Sequence, residues 1–507
     1  MAFVGRSPII LVSPANLNVF SMTSCPRSLL LVLLSAIGLS AASPNIVFIM
    51  TDQQTADALS CRMGDRYLKT PALDRLAARG TLFSKAYTPN PICMPARNSI
   101  FTGRYPHETG VTDNTATTLN AAEFVTMGTY FRRAGYQTAY FGKWHLAYDE
   151  DAMGTHGFET LDTGHIDADN AAQAVKFIGQ KHAKPFLLVV SFLNPHNVCE
   201  LARGQVLNNG PIGEPPVVAQ LPPVPANLAP PRNEPDSMTL IRAGYHANPQ
   251  FPVGKFSPEM WQALRWGYYR LIEKVDAEIG RVLGALQAAG LEENTLIIFT
   301  ADHGECAGAH GLNQKTVFYE EAARVPLIVS APGQHVGRTS DKFTNTGIDI
   351  LPTMFAFTGL VQPAHLTGRS LRPLTLGETV PSWRDDVVVQ NNMTQTAAVN
   401  GSVPMTEGRM IRTERYKYCV YAHGQQRESL VDLSNDPGEM NDLARDPAHR
   451  ATLLAMRARL EAWGVTNHDP LIATLLADDV APRPFAVLKE QKNFRRAENL
   501  AKQKKKS

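Results

Sequence analysis

Asn45-Ile46-Val47-Phe48-Ile49-Met50 is an uninterrupted apolar run, and Thr51-Asp52-Gln53-Gln54 follows it at once. A strand with one face in water alternates polar and apolar residues, so an unbroken run reads as a strand buried on both faces, the kind that fills a parallel sheet. Thr138 to Phe141, Phe186 to Phe192, Leu296 to Thr300 and Leu327 to Ser330 have the same character. Helical patterns lie between them. Thr70-Pro71-Ala72-Leu73-Asp74-Arg75-Leu76-Ala77-Ala78-Arg79-Gly80 carries a capping Thr, a first-turn Pro and a terminal Gly. From about Ser257 to Ala289, Trp261, Leu264, Tyr268, Leu271, Val275, Ile279, Val282 and Leu286 recur at three- and four-residue spacings, which predicts a long amphipathic helix. Strands alternating with helices predict an α/β fold: a large, mixed, mostly parallel sheet flanked by helices.

Around Trp383 the pattern changes. Arg409 to Thr413, Tyr416 to Tyr421 and Ser429 to Leu433 read as short antiparallel strands, followed by an Asp436-Pro437-Gly438-Glu439 turn and a helix around Ala451 to Trp463. The expected organisation is a leader over 1–43, a main α/β domain over 44–382, a smaller α+β domain over 383–480 and a basic tail over 481–507. The main domain carries a proline-rich insertion at 205–250, whose part from Pro211 to Pro235 is expected to be an irregular surface excursion beside a site, a position suited to shaping substrate access. In the leader, Arg27, the run Leu29 to Leu34 and Ser40-Ala41-Ala42 read as an export signal, with Met22 an alternative start. Its apolar stretch is short for a membrane span, so no stable membrane insertion is expected and the location is periplasmic or secreted.

With 507 residues, 44% hydrophobic and 19% charged, the chain can bury a large core. A net charge of +2 argues against a dedicated nucleic-acid binder. Of six cysteines, Cys25 falls in the leader and Cys93 in the motif discussed next; Cys61, Cys199, Cys306 and Cys419 remain, and their pairing is open. None has the spacing of a structural zinc site.

The polar residues fall where open α/β sheets place their ligands, just beyond the ends of strands. Asp52 follows the first run, Lys143 and His145 the second, His196 the third and Asp302-His303 the fourth. Cys93 stands in Pro91-Ile92-Cys93-Met94-Pro95-Ala96-Arg97-Asn98-Ser99-Ile100-Phe101-Thr102-Gly103-Arg104, with Pro95 suited to the first turn of a helix. A nucleophile just before such a helix faces unpaired N–H groups and the positive end of the dipole. Alternation along an extended segment would put Lys143 and His145 on one side.

Cys-x-Pro-x-Arg followed by Thr-Gly-Arg resembles the activation motif of the formylglycine-dependent sulfatases of the alkaline phosphatase superfamily. Gly135-Tyr136-Gln137-Thr138-Ala139-Tyr140-Phe141-Gly142-Lys143-Trp144-His145 is similar to their second signature. The resemblance spans roughly residues 44–465 and implies an alkaline-phosphatase-like catalytic domain with the smaller C-terminal domain. It implies a sulfuric ester hydrolase, like bacterial arylsulfatases and carbohydrate sulfatases, acting on a sulfated carbohydrate or an aryl sulfate. By the same resemblance Cys93 is oxidised to formylglycine by a generating enzyme, and Asp52, Gln53, Asp302, His303 and residue 93 hold a divalent metal. Hard oxygen donors favour Ca²⁺, while the His leaves Mn²⁺ or Mg²⁺ open. Arg97 is expected to fix the hydrated aldehyde, Lys143 to bind sulfate, His145 to act as base, His196 to protonate the departing alcohol and Lys315 to bridge sulfate and leaving group. Asn114 and His310 are expected at the substrate or in its supporting shell, with packing and capping roles an equal alternative. Met94 departs from the small residue usual after the cysteine, and Gln53 stands where many relatives have Asp. Two other readings are a phosphonate or phosphate diester hydrolase of the same superfamily, whose members usually lack the Lys143–His145 pair, and an inactive protein that binds sulfated glycans.

Overall fold

The computed structural model describes residues 43–485 apart from 116–117, 249–251, 394–396 and 400–405. The expected leader, on which the export-signal reading rests, and nearly all of the basic tail lie outside these residues. The main sheet has eight strands: β1 (Asn45–Asp52), β2 (Thr81–Phe83), β3 (Gln137–Gly142), β4 (Thr160–Asp162), β5 (Phe186–Pro195), β6 (Thr295–Ala301), β7 (Leu327–Ser330) and β8 (Arg338–Ser340). Their order is β4-β3-β5-β1-β6-β7-β2-β8. The neighbours from β4 to β6 pair in parallel, and β7 alone runs against the rest. All five apolar runs are strands, each within three residues of its expected ends. β2, β4 and β8, only three residues long, are too brief to show a pattern.

The central strands are apolar throughout because both faces are covered. Ile46, Phe48 and Met50 of β1 point to one side, with Leu187 and Val189 of β5 and Ile298 of β6. There they pack against Ile100 and Phe101 of α2 (Cys93–Thr102), and the same core includes Ile350, Leu351 and Met354 of α6 (Thr346–Thr358). Val47 and Ile49, with Leu188, Val190, Ile297 and Phe299, face the other side. That side is closed by α1 (Pro71–Arg79), α3 (Asp167–Ile178) and the long α5 (Pro258–Ala288), whose Val275, Ile279, Val282 and Leu286 are fully buried. Each such side chain contributes about 1.5–3 kcal/mol by leaving water. Ser257 caps α5 by accepting from the Met260 N–H, and Pro258 begins it, as the spacing predicts.

The proline-rich stretch is irregular apart from a short 3-10 turn at Val218–Gln220, and α4 (Asp236–Ala247) follows it. A second sheet of four antiparallel strands, β9 (Asp386–Met393), β10 (Thr406–Thr413), β11 (Tyr416–Tyr421) and β12 (Glu428–Asp432), precedes α7 (Arg450–Thr466) and α8 (Pro470–Val480). This sheet shares a core with the main domain: Val389, Met410 and Tyr421 pack with Tyr87, Phe318 and Tyr245. The described residues from 43 to 485 belong to one compact unit. Among the described residues no helix is long and apolar enough to cross a membrane.

Candidate active site

Four adjacent strands, β3, β5, β1 and β6, end on the same edge of the sheet, and the chain leaves each of them with a polar residue. Asp52 is the last residue of β1, Lys143 follows β3, His196 follows β5 and Asp302-His303 follow β6. Cys93 enters from a different element. It is the first residue of α2, with extended Ile92 as N-cap, rather than lying before the helix as the position of Pro95 suggests. The N-terminal dipole of α2 therefore points at the site through Cys93 itself. Asn114 accepts the Met94 N–H at 3.0 Å, so it caps this helix and supports the nucleophile position.

Around Cys93 Sγ, His303 Nε2 and Lys315 Nζ each lie at 3.2 Å and Asp52 Oδ1 at 3.9 Å. Asp52, Cys93, Asp302 and His303 offer ligand atoms all within 4.8 Å of one another, and all four side chains are buried. Gln53, fully buried with φ +72°, turns its amide oxygen to Lys315 Nζ at 2.6 Å. His303 Nδ1 is 2.9 Å from the Gly304 carbonyl, which can only accept; the Nδ1–H tautomer that results leaves the Nε2 lone pair facing Cys93 and the carboxylates. Two carboxylates, an amide oxygen and an oriented imidazole make a donor set that fits a hard divalent cation. Gly304 is required here: a Cβ would sit 1.9 Å from the Glu321 carbonyl.

Arg97 is completely buried, and its donors go to Asp302 Oδ2 at 2.8 Å, Asp52 Oδ2 at 3.0 Å, Ser191 Oγ at 2.8 Å and the Lys143 carbonyl at 3.0 Å. Its fork thus clamps both carboxylates and holds the turn after β3, and none of these bonds goes to Cys93. Lys143 Nζ pairs with Asp52 Oδ2. The strand ends at Gly142, and His145 takes a left-handed φ of +51°, so the two basic residues do not alternate along an extended segment. A tight turn places them instead, leaving His145 Nδ1 buried without a hydrogen-bond partner. Gly142 makes that turn possible, with φ +114° and no room for a Cβ against the Ser191 carbonyl.

The electrostatics follow from this crowding. Burial raises the Asp52 carboxyl, but Lys143, His196, Lys315 and Arg97 outweigh it and hold Asp52 well below the usual carboxylate range. Burial and Asp52 push the Cys93 thiol up, yet Lys315, Lys143 and His303 reverse the balance and bring it well down. Position 93 therefore favours a negatively charged atom. The His196 imidazole is lowered by burial and then by the ammonium groups of Lys143 and Lys315.

His310 does not belong to this group. It is fully buried, stacks on Tyr319 at 3.6 Å between centroids and has Nε2 3.5 Å from Glu321 and 3.2 Å from Asn227. Its local sequence places it one turn from Lys315, but the left-handed kink at His310 turns the ring into the core. Conversely, Ser191 and Glu305 touch site residues and were not expected there. Ser191 gives no sequence signal, whereas Glu305 is the fourth residue of Asp302-His303-Gly304-Glu305. The insertion reaches this edge through Asn209, which donates to Asn197 Oδ1 at 3.1 Å and accepts the Asp167 N–H at 2.7 Å. The four cysteines Cys61, Cys199, Cys306 and Cys419 are free thiols.

Residues 44–360 match the sulfatase family model, and residues 308–465 match the model of the N-sulphoglucosamine sulphohydrolase C-terminal region. The chain belongs to the sulfatase family and is a sulfatase. It is similar to a Δ4,5-hexuronate-2-O-sulfatase of Bacteroides thetaiotaomicron, at 28% identity over 87% of this chain and 92% of the relative. A solved structure of a 2-O GAG sulfatase superposes with a TM-score of 0.72 at 26% identity, covering 85% of this chain and 93% of the other. A phosphonate monoester hydrolase of Agrobacterium radiobacter superposes with a TM-score of 0.68, also at 26% identity, covering 84% and 96%.

Proposed function

We propose that this sulfatase removes sulfate from a sulfated carbohydrate, with formylglycine at position 93 and a divalent cation, Ca²⁺ being favoured by the oxygen-rich donors. The observation that carries this reading is the cluster around Cys93 Sγ, where cationic Lys315 and the His303 imidazole both lie at 3.2 Å. The sulfur stands where an aldehyde hydrate oxygen would lie. Such a hydrate supplies one hydroxyl to attack sulfur and a second whose deprotonation lets the adduct release sulfate without hydrolysis. Asp52, Gln53, Asp302 and His303 would hold the cation, which would supply Lewis-acid stabilisation of charge on the sulfate oxygens.

Lys143 and Lys315 bind the sulfate group. His196 gives its proton to the ester oxygen as the S–O bond breaks, and His145 takes the proton of the second hydroxyl. Arg97 keeps Asp52 and Asp302 in place. Because Cys93 is 1% exposed, the generating enzyme acts on the chain before it folds around that residue. Names of relatives such as the hexuronate-2-O-sulfatase support a glycan substrate, and an exported, periplasmic or secreted enzyme suits one. The domain limits at 382 and 480 belong to the same reading.

The phosphonate hydrolase superposition favours one other reading, and a single assay separates the two. Protein whose Cys93 conversion is confirmed by peptide mass is given sulfated mono- and disaccharides, p-nitrophenyl sulfate and a phosphonate monoester. We expect the highest kcat/KM on a sulfated sugar. Preference for the phosphonate would overturn the proposal.

A further inference from the structure

Gln53 is held between two groups of opposite character. On one side Lys315 Nζ, which can only donate, meets Gln53 Oε1 at 2.6 Å. On the other, Gln53 Nε2 donates to Glu305 Oε2 at 2.5 Å, a carboxylate oxygen. An amide has nearly the same shape in its two orientations, so its partners decide which end faces the site. Only one orientation satisfies both neighbours. Glu305 is itself fully buried, and its second oxygen accepts the Ala307 N–H at 2.9 Å. Both of its oxygens therefore act as acceptors, toward partners that can only offer protons there.

We infer that Glu305 is a positioning residue that locks the Gln53 amide with its oxygen toward the cation site. This rests on the metal-site reading above and goes beyond it by assigning a role to a residue that is not a ligand. When Lys315 turns to a bound sulfate, Glu305 is the remaining partner that distinguishes the two ends of the amide, because the Cys199 thiol, 3.6 Å from Nε2 and 3.8 Å from Oε1, can serve either. A glutamine at 305 has the same shape but a single oxygen. It can serve either Ala307 or Gln53, and the other partner then faces an NH₂ group. The backbone N–H cannot turn away, so the Gln53 amide flips and presents its own NH₂ to the site.

The test is a binding cycle on chelator-stripped full-length protein, titrated calorimetrically with calcium chloride and, in parallel, manganese chloride. Wild type is expected to bind at least one cation and Asp302→Asn to bind it far more weakly. Failure of either result removes the site reading itself, and the positioning role with it. Given that baseline, Glu305→Gln is expected to weaken binding about 10- to 100-fold, the range usual for groups that orient a ligand. In a Gln53→Asp background there is no amide to orient, so the same Glu305→Gln change is expected to cost only the loss that removing one nearby negative charge brings, no more than about twofold. Equal losses in both backgrounds, or no loss in the first, would overturn the positioning role. Should Glu305→Gln not fold, Glu305→Asp reads the same cycle, because its shorter arm cannot hold both partners.

Discussion

His196 lies within reach of two ammonium charges, and its imidazole is held below the ordinary 6.5 by burial first and by Lys143 and Lys315 next. In the free enzyme it is therefore neutral at pH 7. If it protonates the leaving alcohol, kcat/KM on an alkyl sulfate rises as pH falls toward that depressed value. A substrate with an activated phenol needs less help. We expect His196→Ala to cost about 10²–10⁴-fold on a sugar sulfate, to cost much less on p-nitrophenyl sulfate and to abolish the rise at acid pH; equal losses on both substrates would refute the acid role. At this scale the sequence was readable wherever a residue ends a strand, because strand ends converge by topology: Asp52, Lys143, His196, Asp302 and His303 meet as expected. Arg97 stands at the site, but its acceptors, Asp52, Asp302, Ser191 and the Lys143 carbonyl, were not legible, since a motif shows that a guanidinium is present and not which acceptors surround it. The stacking of His310 on Tyr319 could not be read from the chain, because a single left-handed residue redirects a ring without leaving a pattern.

At the scale of elements, the contact between α1 and α5 shows how one carboxylate joins two helices. Asp276, from the buried face of α5, accepts the N–H groups of Ala72 at 3.0 Å and Leu73 at 2.9 Å, two of the donors left free at the start of α1. Burial raises its pKa to about 6 in spite of those bonds. Asp276→Ala should destabilise the protein by about 1–3 kcal/mol in urea unfolding, because both donors lose their partner. Asp276→Asn should cost less, and its sign with pH is fixed. The folded state holds the Asp276 proton more tightly than the unfolded chain, so wild type loses stability from this residue as pH rises from 3.8 to about 6, and the non-titrating Asn variant gains on it across that window. A constant difference between the two across these pH values would show that Asp276 is not buried as a charge. Helix α5 and the central strands were legible because burial on one face or both imposes a period on many residues. The first strand of the C-terminal sheet, β9, was missed, although its Val387-Val388-Val389 core is apolar, since the polar Gln390-Asn391-Asn392 that follows conceals its length. The reversal of β7 was also hidden: an apolar run reads the same in either direction.

For the molecule as a whole, the C-terminal sheet supports the site from behind. Lys417 of β11, 2% exposed, donates to the Phe318 carbonyl at 2.8 Å and pairs with Glu439, while Glu439 accepts the Glu320 N–H at 2.7 Å. The adjoining residues Glu321 and Ala322 in turn accept the backbone N–H groups of Glu305 at 3.0 Å and Gly304 at 2.9 Å, directly behind His303. A continuous chain of bonds thus runs from the second sheet to the proposed cation ligands. Lys417→Met would leave Glu439 buried without its counter-charge, and breaking such a pair costs about 3–5 kcal/mol. Pairing it with Glu439→Gln removes that stranded charge, so the double variant should recover part of the loss; Glu320, 3.4 Å from Lys417 Nζ, still loses that partner and keeps Arg324. Both sheets share one apolar core, so wild type and variants alike should unfold in urea as a single transition, followed by tryptophan fluorescence and far-ultraviolet dichroism. If the second sheet were an independent attachment, the two probes would separate. Lys417→Met would then lower only the transition of the C-terminal sheet and leave cation binding at the distant edge of the main sheet intact. Loss of both together is the outcome that the bonded path from Lys417 to Gly304 requires.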